Sequence, residues 1–151
     1  AANLHLPGGG LRRQSFAAEV RERSMRTIIV DDEVLALQLF QMECETISEL
    51  QLVAAFESPL AALEYVKQNP IDLAILENGQ YNEGWNLIHL MPSNMAKAAK
   101  DLKAKKIMTV HHSKYALAKH PWNEPLTNEK KMQEQDSLNM MIPEIGEVMP
   151  L

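Results

Sequence analysis

The stretch Arg26-Thr-Ile-Ile-Val-Asp-Asp-Glu33 places four β-branched residues directly before three consecutive acids. Thr27, Ile28, Ile29 and Val30 suit a strand covered on both faces. The break at Asp31 puts the carboxylates at the strand's carboxyl end, where open α/β sheets bind their ligands. Three crowded acids repel one another unless a cation sits among them. A second reading fits the same residues: two of the three cap a helix starting near Val34, satisfying its orphan amides and complementing its dipole. The residues alone leave both readings open.

Outward from this run the chain alternates strand and helix. From Val34 to Leu50, Leu35, Leu39 and Met42 on one row and Ala36, Phe40, Cys44 and Ile47 on the next recur at three and four, which predicts a core-facing helix. Residues 51–56 read as a short strand. Ser58 then supplies an N-cap before Pro59 at the first helical position, and Leu60, Leu63 and Val66 continue that helix until Asn69-Pro70 stops it. Ile71-Asp-Leu-Ala-Ile-Leu76 is a third strand, apolar except for Asp72. Strands separated by helices imply right-handed crossovers and a parallel sheet. Further on, Ser93 is expected to cap a helix with Met95, Ala98, Ala99 and Leu102 on one face, and Lys103, Lys105 and Lys106 crowd its end. A fourth strand is expected over residues 107–111, a helical turn over 113–119, irregular chain over 121–125, a helix over 128–135, and late strands over 138–142 and 147–149.

With 151 residues and 46% hydrophobic content the chain has material for one core. Residues 1–24, with Pro7, the Gly8-Gly9-Gly10 run and an Arg-rich stretch, read as a flexible leader holding at most a short helix near 14–23, and Met25 looks like a native start. Residues 25–151 read as a single α/β domain. Fifteen basic against twenty acidic residues give a net charge of −5, so nucleic-acid binding by this chain alone is not expected and neither is attraction to anionic membrane. The single cysteine, Cys44, excludes an internal disulfide and is expected to pack on a helix face; it suits a reducing compartment. No long apolar window and no apolar leader segment occur, and a cytoplasmic location is expected.

The strand ending in Asp31 and Asp32, the following helix, strand and helix, and the third strand through Leu76 resemble the first half of a bacterial response-regulator receiver domain, of the kind that precedes a LytTR DNA-binding domain. The resemblance implies a flavodoxin-like parallel sheet with flanking helices and a role in a two-component phosphorelay. In that family the acid pair holds Mg²⁺ and an Asp ending the third strand accepts phosphate from a histidine kinase. Here the matching residues are Asp31, Asp32 and Glu77. Glu77 keeps the charge and can ligate Mg²⁺, but its extra methylene moves the carboxylate out of line for attack on phosphorus. Val110 falls where the switch hydroxyl belongs, with Thr109 beside it facing the other way. The implied protein is a receiver degenerate at its acceptor, acting by binding Mg²⁺ and a histidine kinase or effector. Glu77 then imitates a constant negative charge.

After Glu77 the pattern is atypical for a receiver, and residues from about Asp72 onward carry a second resemblance that shares the third strand. Leu76-Glu-Asn-Gly-Gln-Tyr-Asn82, His89-Leu-Met-Pro92, Lys106-Ile-Met-Thr-Val-His111, His120-Pro-Trp-Asn-Glu-Pro125 and Ile142-Pro-Glu-Ile-Gly-Glu-Val148 resemble the C-terminal end of metallo-β-lactamase-fold hydrolases. That resemblance implies His111 as a metal ligand at a strand end, His89 near the substrate, and Zn²⁺ as the ion. The His-x-His-x-Asp-His motif is absent, and the histidines at 5, 89, 111, 112 and 120 do not replace it, because catalytic zinc needs three ligands converging on one point. The alternative readings are therefore a piece of such a hydrolase, or a chimera of residues 25–77 and 78–151 without evolved activity. A mixed cluster of Asp31, Asp32, Glu77 and His111 at neighbouring strand ends is a further expectation. His112 and His120 read as adventitious surface histidines. Tyr81, Trp85, Tyr115 and Trp122 read either as an aromatic patch or as loop packing, and the nine methionines as adaptable core filler. An exposed sheet edge is expected to favour a homodimer.

Overall fold

The β-branched run of residues 27–30 is an interior strand of a five-stranded sheet, one in from an edge, and helices cover the sheet on both faces. The computed structural model describes residues 24–79, 81–86, 89–115 and 118–150. The elements are β1 (Met25–Val30), α1 (Val34–Thr46), β2 (Leu50–Phe56), α2 (Pro59–Val66), β3 (Leu73–Glu77), a 3-10 turn (Glu83–Trp85), α3 (Pro92–Leu102), β4 (Lys106–Val110), α4 (Glu124–Asp136) and β5 (Met140–Met141). Every pairing is parallel and the strand order is β2-β1-β3-β4-β5. This is the flavodoxin-like order that the sequence predicts.

Alternation along the strands divides the core between the two faces of the sheet. Ile28, Ala74, Leu76, Ile107 and Met140 join Ala62 of α2, Met95, Ala99 and Leu102 of α3, and Met132 of α4. On the opposite face Ile29, Leu73, Ile75 and Met141 join Leu37 and Cys44 of α1, with Phe40 and Met149 packed alongside. Every residue of β3 is buried, as befits a central strand, whereas β2 is half-buried throughout, as an edge strand is. At the sheet's amino end Asp72 accepts the Arg26 backbone N–H at 2.9 Å and pairs with Lys105 at 2.6 Å. Burial opposes its ionisation, but Lys105 and that N–H overcome it and hold the carboxyl below the usual range.

Several sequence expectations need correction. Of the two expected rows on α1 only part packs inward: Phe40 and Cys44 of the second row join Leu37, which neither row included, while Leu35, Leu39 and Met42 of the first are 78%, 57% and 65% exposed. Two residues span roughly 200° of helix, so a row through Leu35 points away from one through Leu37. The helix also stops at Thr46, because Leu50 is already paired with Met25 in β2. Ser93 is not the cap of α3; Met91 is, with Pro92 opening the helix. Helix α4 starts at Glu124 and uses Pro125 in its first turn, so it takes up residues expected to be irregular. Residues 113–115, 118 and 119 lie outside any helix. The last strand is only Met140–Met141, and residues 147–149 form none. Residues 1–23, including the expected helix near 14–23, lie outside the described residues. Among the described residues no helix is long and apolar enough to cross a membrane.

The outward position of Leu35 on α1 is checked by truncating it, with the buried Ile28 of β1 as the reference for a core position. Ile28→Ala, at a fully buried position, is expected to cost about 2–5 kcal/mol by chemical denaturation. Leu35→Ala is expected to fall within about 0.5 kcal/mol of the parent chain; a loss comparable to that of Ile28→Ala would contradict the helix orientation.

Candidate functional site

After β1 the chain crosses to β2 on one side and then to β3 on the other, which opens a crevice at the carboxyl ends of β1 and β3. Register decides what lines it. Val30 pairs with Leu76, and Glu77 pairs with Val110. Asp31 therefore leaves β1 beside Glu77 at the end of β3, and His111 leaves β4 just beyond. The predicted acids Asp31, Asp32 and Glu77, together with His89, line one cavity of about 420 Å³ whose inner wall includes Ala62, Leu63 and Leu102.

Asp31 is the pivot of the group. It is 3% exposed. Its Oδ1 accepts the Glu33 backbone N–H at 2.8 Å, so part of the capping reading holds: the carboxylate braces the turn into α1. The helix cap itself is Glu33, whose side chain makes no capping bond. Asp31 Oδ2 lies 3.2 Å from His111 Nε2 and has no hydrogen-bond partner. Asp31, Glu33 and His111 each bring one ligand atom to within 4.8 Å of the others. Glu33 belongs to the acidic run, yet sequence reasoning did not assign it to the ion. Its signal was the two-residue spacing from Asp31, which a tight turn folds back onto one side.

Glu77 is also buried, and its Oε1 stands 2.5 Å from His89 Nδ1. The Trp85 ring tilts onto His89 with centroids 5.7 Å apart. Burial raises the Asp31 carboxyl above its usual range, against the opposing pull of the Glu33 N–H and then of His111. Burial raises Glu77 likewise, opposed by His89 and by His111. The two histidines assigned to the hydrolase alternative thus face the two carboxylates assigned to the receiver reading.

The approach of His111 depends on Gly79. A Cβ at position 79 would sit 2.3 Å from the His111 carbonyl oxygen, and His111 itself holds a left-handed φ of +69°. A chain with any larger residue at 79 would have to move the backbone that carries His111.

A second polar group lies under α4 and was not foreseen. Thr109 donates to Glu129, which is 1% exposed; the Thr109 hydroxyl also accepts Asn78 Nδ2 at 3.0 Å. His112 Nε2 lies 2.9 Å from that hydroxyl and 3.2 Å from Glu129 Oε1. Tyr81 donates to Glu124 at 2.9 Å and stacks on His120 at 4.2 Å. His112 and His120 are therefore structural partners and not adventitious surface groups. Tyr81 and Trp85 each pair with a histidine, and no patch of the four aromatics forms: Tyr81 is buried while Trp85, Tyr115 and Trp122 are exposed. Cys44 is buried in the α1 core as expected, and burial pushes its thiol up, away from reactivity.

No protein-family model matches the chain. It is 52% identical over 42 residues to the outer membrane protein RomA of Klebsiella pneumoniae, a match covering 28% of this chain and 32% of that protein. It is 31% identical over 81 residues to an uncharacterized protein of Mycobacterium tuberculosis, covering 52% of this chain and 22% of that protein. The chain thus spans about a third and about a fifth of the length of these relatives. Among solved structures it is similar to the isolated receiver domain of RcsB from Salmonella enterica serovar Typhimurium, determined with the phosphomimetic BeF3⁻. The TM-score is 0.51 at 14% identity, covering 73% of this chain and 72% of that one. The fold is that of a response-regulator receiver.

The electrostatics give a pH test. A buried carboxyl whose native pKa is raised stabilises the fold fully only while protonated, and that contribution is lost as pH rises from the ordinary carboxylate range through the native value. Asp31→Asn is therefore expected to melt at a higher temperature than the parent at neutral pH without divalent ions, with the gap closing as pH falls below about 4. A gap that widens on acidification would contradict the assignment.

Proposed function

We propose that this chain is a receiver-like signalling module that binds a divalent cation at Asp31 and passes no phosphoryl group through Glu77. The observation that carries the reading is the 2.5 Å contact of Glu77 with His89: the carboxylate at the acceptor position is already engaged, inside the crevice, by a side chain from the loop before α3. A carboxylate so held has neither the freedom nor the in-line geometry of a nucleophile. It keeps a fixed negative charge beside Asp31, the electrostatic condition that phosphorylation would otherwise create.

Under this reading residues 25–151 act as one α/β unit in the cytoplasm of a two-component system. The receiver resemblance implies Mg²⁺ at Asp31, Asp32 and Glu77; with Glu77 engaged by His89, the reading needs only that a divalent ion binds at Asp31. A histidine kinase or a downstream effector is the partner, recognising the surface around the crevice. The outer edge of β2, which has no further strand beside it among the described residues, offers a second copy an edge to pair with.

Incubation with acetyl phosphate and Mg²⁺, followed by intact-mass measurement, tests the acceptor. The mass is expected to stay unchanged. A labile phosphoryl adduct that disappears in Glu77→Gln would overturn the reading.

The second reading, a segment of a metallo-β-lactamase-fold hydrolase joined to a receiver half, is supported by the place of His111, directly after β4 and in a group with Asp31 and Glu33 able to hold an ion, where that resemblance puts a metal ligand. Metal analysis after chelator-free purification separates the two. The signalling reading expects no more than one ion per chain, and two tightly held zinc ions would replace it with the hydrolase.

A further inference from the structure

We infer that the ion held at the crevice is a transition metal of the Zn²⁺ or Co²⁺ class, bound by Asp31, Glu33 and His111, and not Mg²⁺. The inference rests on the cation reading above and names the ion and its ligands.

Mg²⁺ takes hard oxygen ligands in near-ideal octahedral geometry and keeps much of its water. An imidazole nitrogen in the set shifts preference towards zinc, iron, nickel, copper and cobalt. Here His111 Nε2 is directed at the carboxylate end of β1, 3.2 Å from Asp31 Oδ2. Two ligand atoms of a tetrahedral ion with bonds of about 2.0–2.1 Å stand roughly 3.3 Å apart. The observed separation thus already has the length of one edge of such a polyhedron, with nitrogen at one end and oxygen at the other.

An independent observation points to a ligand at the same place. Asp31 is more than nine-tenths buried, and its Oδ2 makes no hydrogen bond and meets only the His111 ring nitrogen at 3.2 Å, which leaves a buried carboxylate oxygen under-satisfied. A cation bridging Oδ2 and Nε2 would satisfy it. Glu33 completes three protein ligands, and because its side chain is exposed it can swing the remaining distance without disturbing the core. Three ligands leave a position for water or for a partner's side chain. Asp32 and Glu77 are then not ligands: Glu77 is occupied by His89, and Asp32 is exposed at the cavity rim, where it adds negative charge.

The test uses the full chain after chelator treatment, titrated separately with Zn²⁺, Co²⁺ and Mg²⁺ alone by calorimetry, with the visible absorption of Co²⁺ as a direct report on its ligands. One equivalent of Zn²⁺ or Co²⁺ is expected to bind at least about tenfold more tightly than Mg²⁺. His111→Gln is expected to abolish that preference and shift the Co²⁺ spectrum, while His5→Gln changes neither. Because His111 lies in a strained loop and its variant can misfold, Glu33→Gln at an exposed position serves as the second variant and is expected to weaken Zn²⁺ by about tenfold or more. Mg²⁺ bound as tightly as Zn²⁺, or a preference unaffected by both variants, would overturn the choice of ion and leave the cation reading standing. No binding of any of the three would overturn both.

Discussion

The structure turns on a carboxylate placed where a carboxylate is expensive. Asp31 follows a strand that must be apolar and β-branched to sit at the centre of a parallel sheet, so the first residue free to be polar emerges between two neighbouring strand ends and under the helix that follows. Its burial and its unpartnered Oδ2 follow from that position. One oxygen braces the turn into α1. The other faces a histidine delivered by β4, and that delivery requires Gly79 and a left-handed backbone at His111. The histidine contacts offset part of the cost of these buried charges, and burial, the larger effect, raises both carboxyls.

Parallel topology explains why residues from stretches resembling different families meet. Every strand of the sheet ends on the same side, so whatever polar residues close β1, β3 and β4 are brought together by connectivity alone. Asp31 and Glu77 come from the stretch read as a receiver; His89 and His111 come from the stretch read as a hydrolase. Their pairing is a consequence of the fold and is compatible with either descent. What the fold does not dictate is the complementarity: each buried carboxylate has one imidazole within 3.2 Å.

Much of this was legible in the residues. The run from Thr27 to Asp31 predicts both the central strand and the location of the site, and the apolar stretch before Glu77 predicts its neighbour. The orientation of α1 was legible in part: Phe40 and Cys44 were read as core-facing and are, but Leu35, Leu39 and Met42 form an equally good apolar row in the residues and point outward. Ser93 was a plausible cap that lost to the preference of Pro92 for the first helical position. The polar cluster under α4 was invisible for another reason. Thr109, Asn78, His112 and Glu129 are far apart in sequence and of ordinary polar type, and nothing in local spacing signals that α4 folds Glu129 down onto the end of β4.

The most direct measurement is the titration of the Asp31 side-chain carboxyl by carbon-detected nuclear magnetic resonance, first in the ion-free chain and then with a stoichiometric divalent ion. The account predicts an ion-free midpoint above the ordinary carboxylate range, and a fall below that range once the ion is bound. A midpoint at the ordinary value in both states would contradict it, because burial would then not disfavour the Asp31 charge and no cation would touch it.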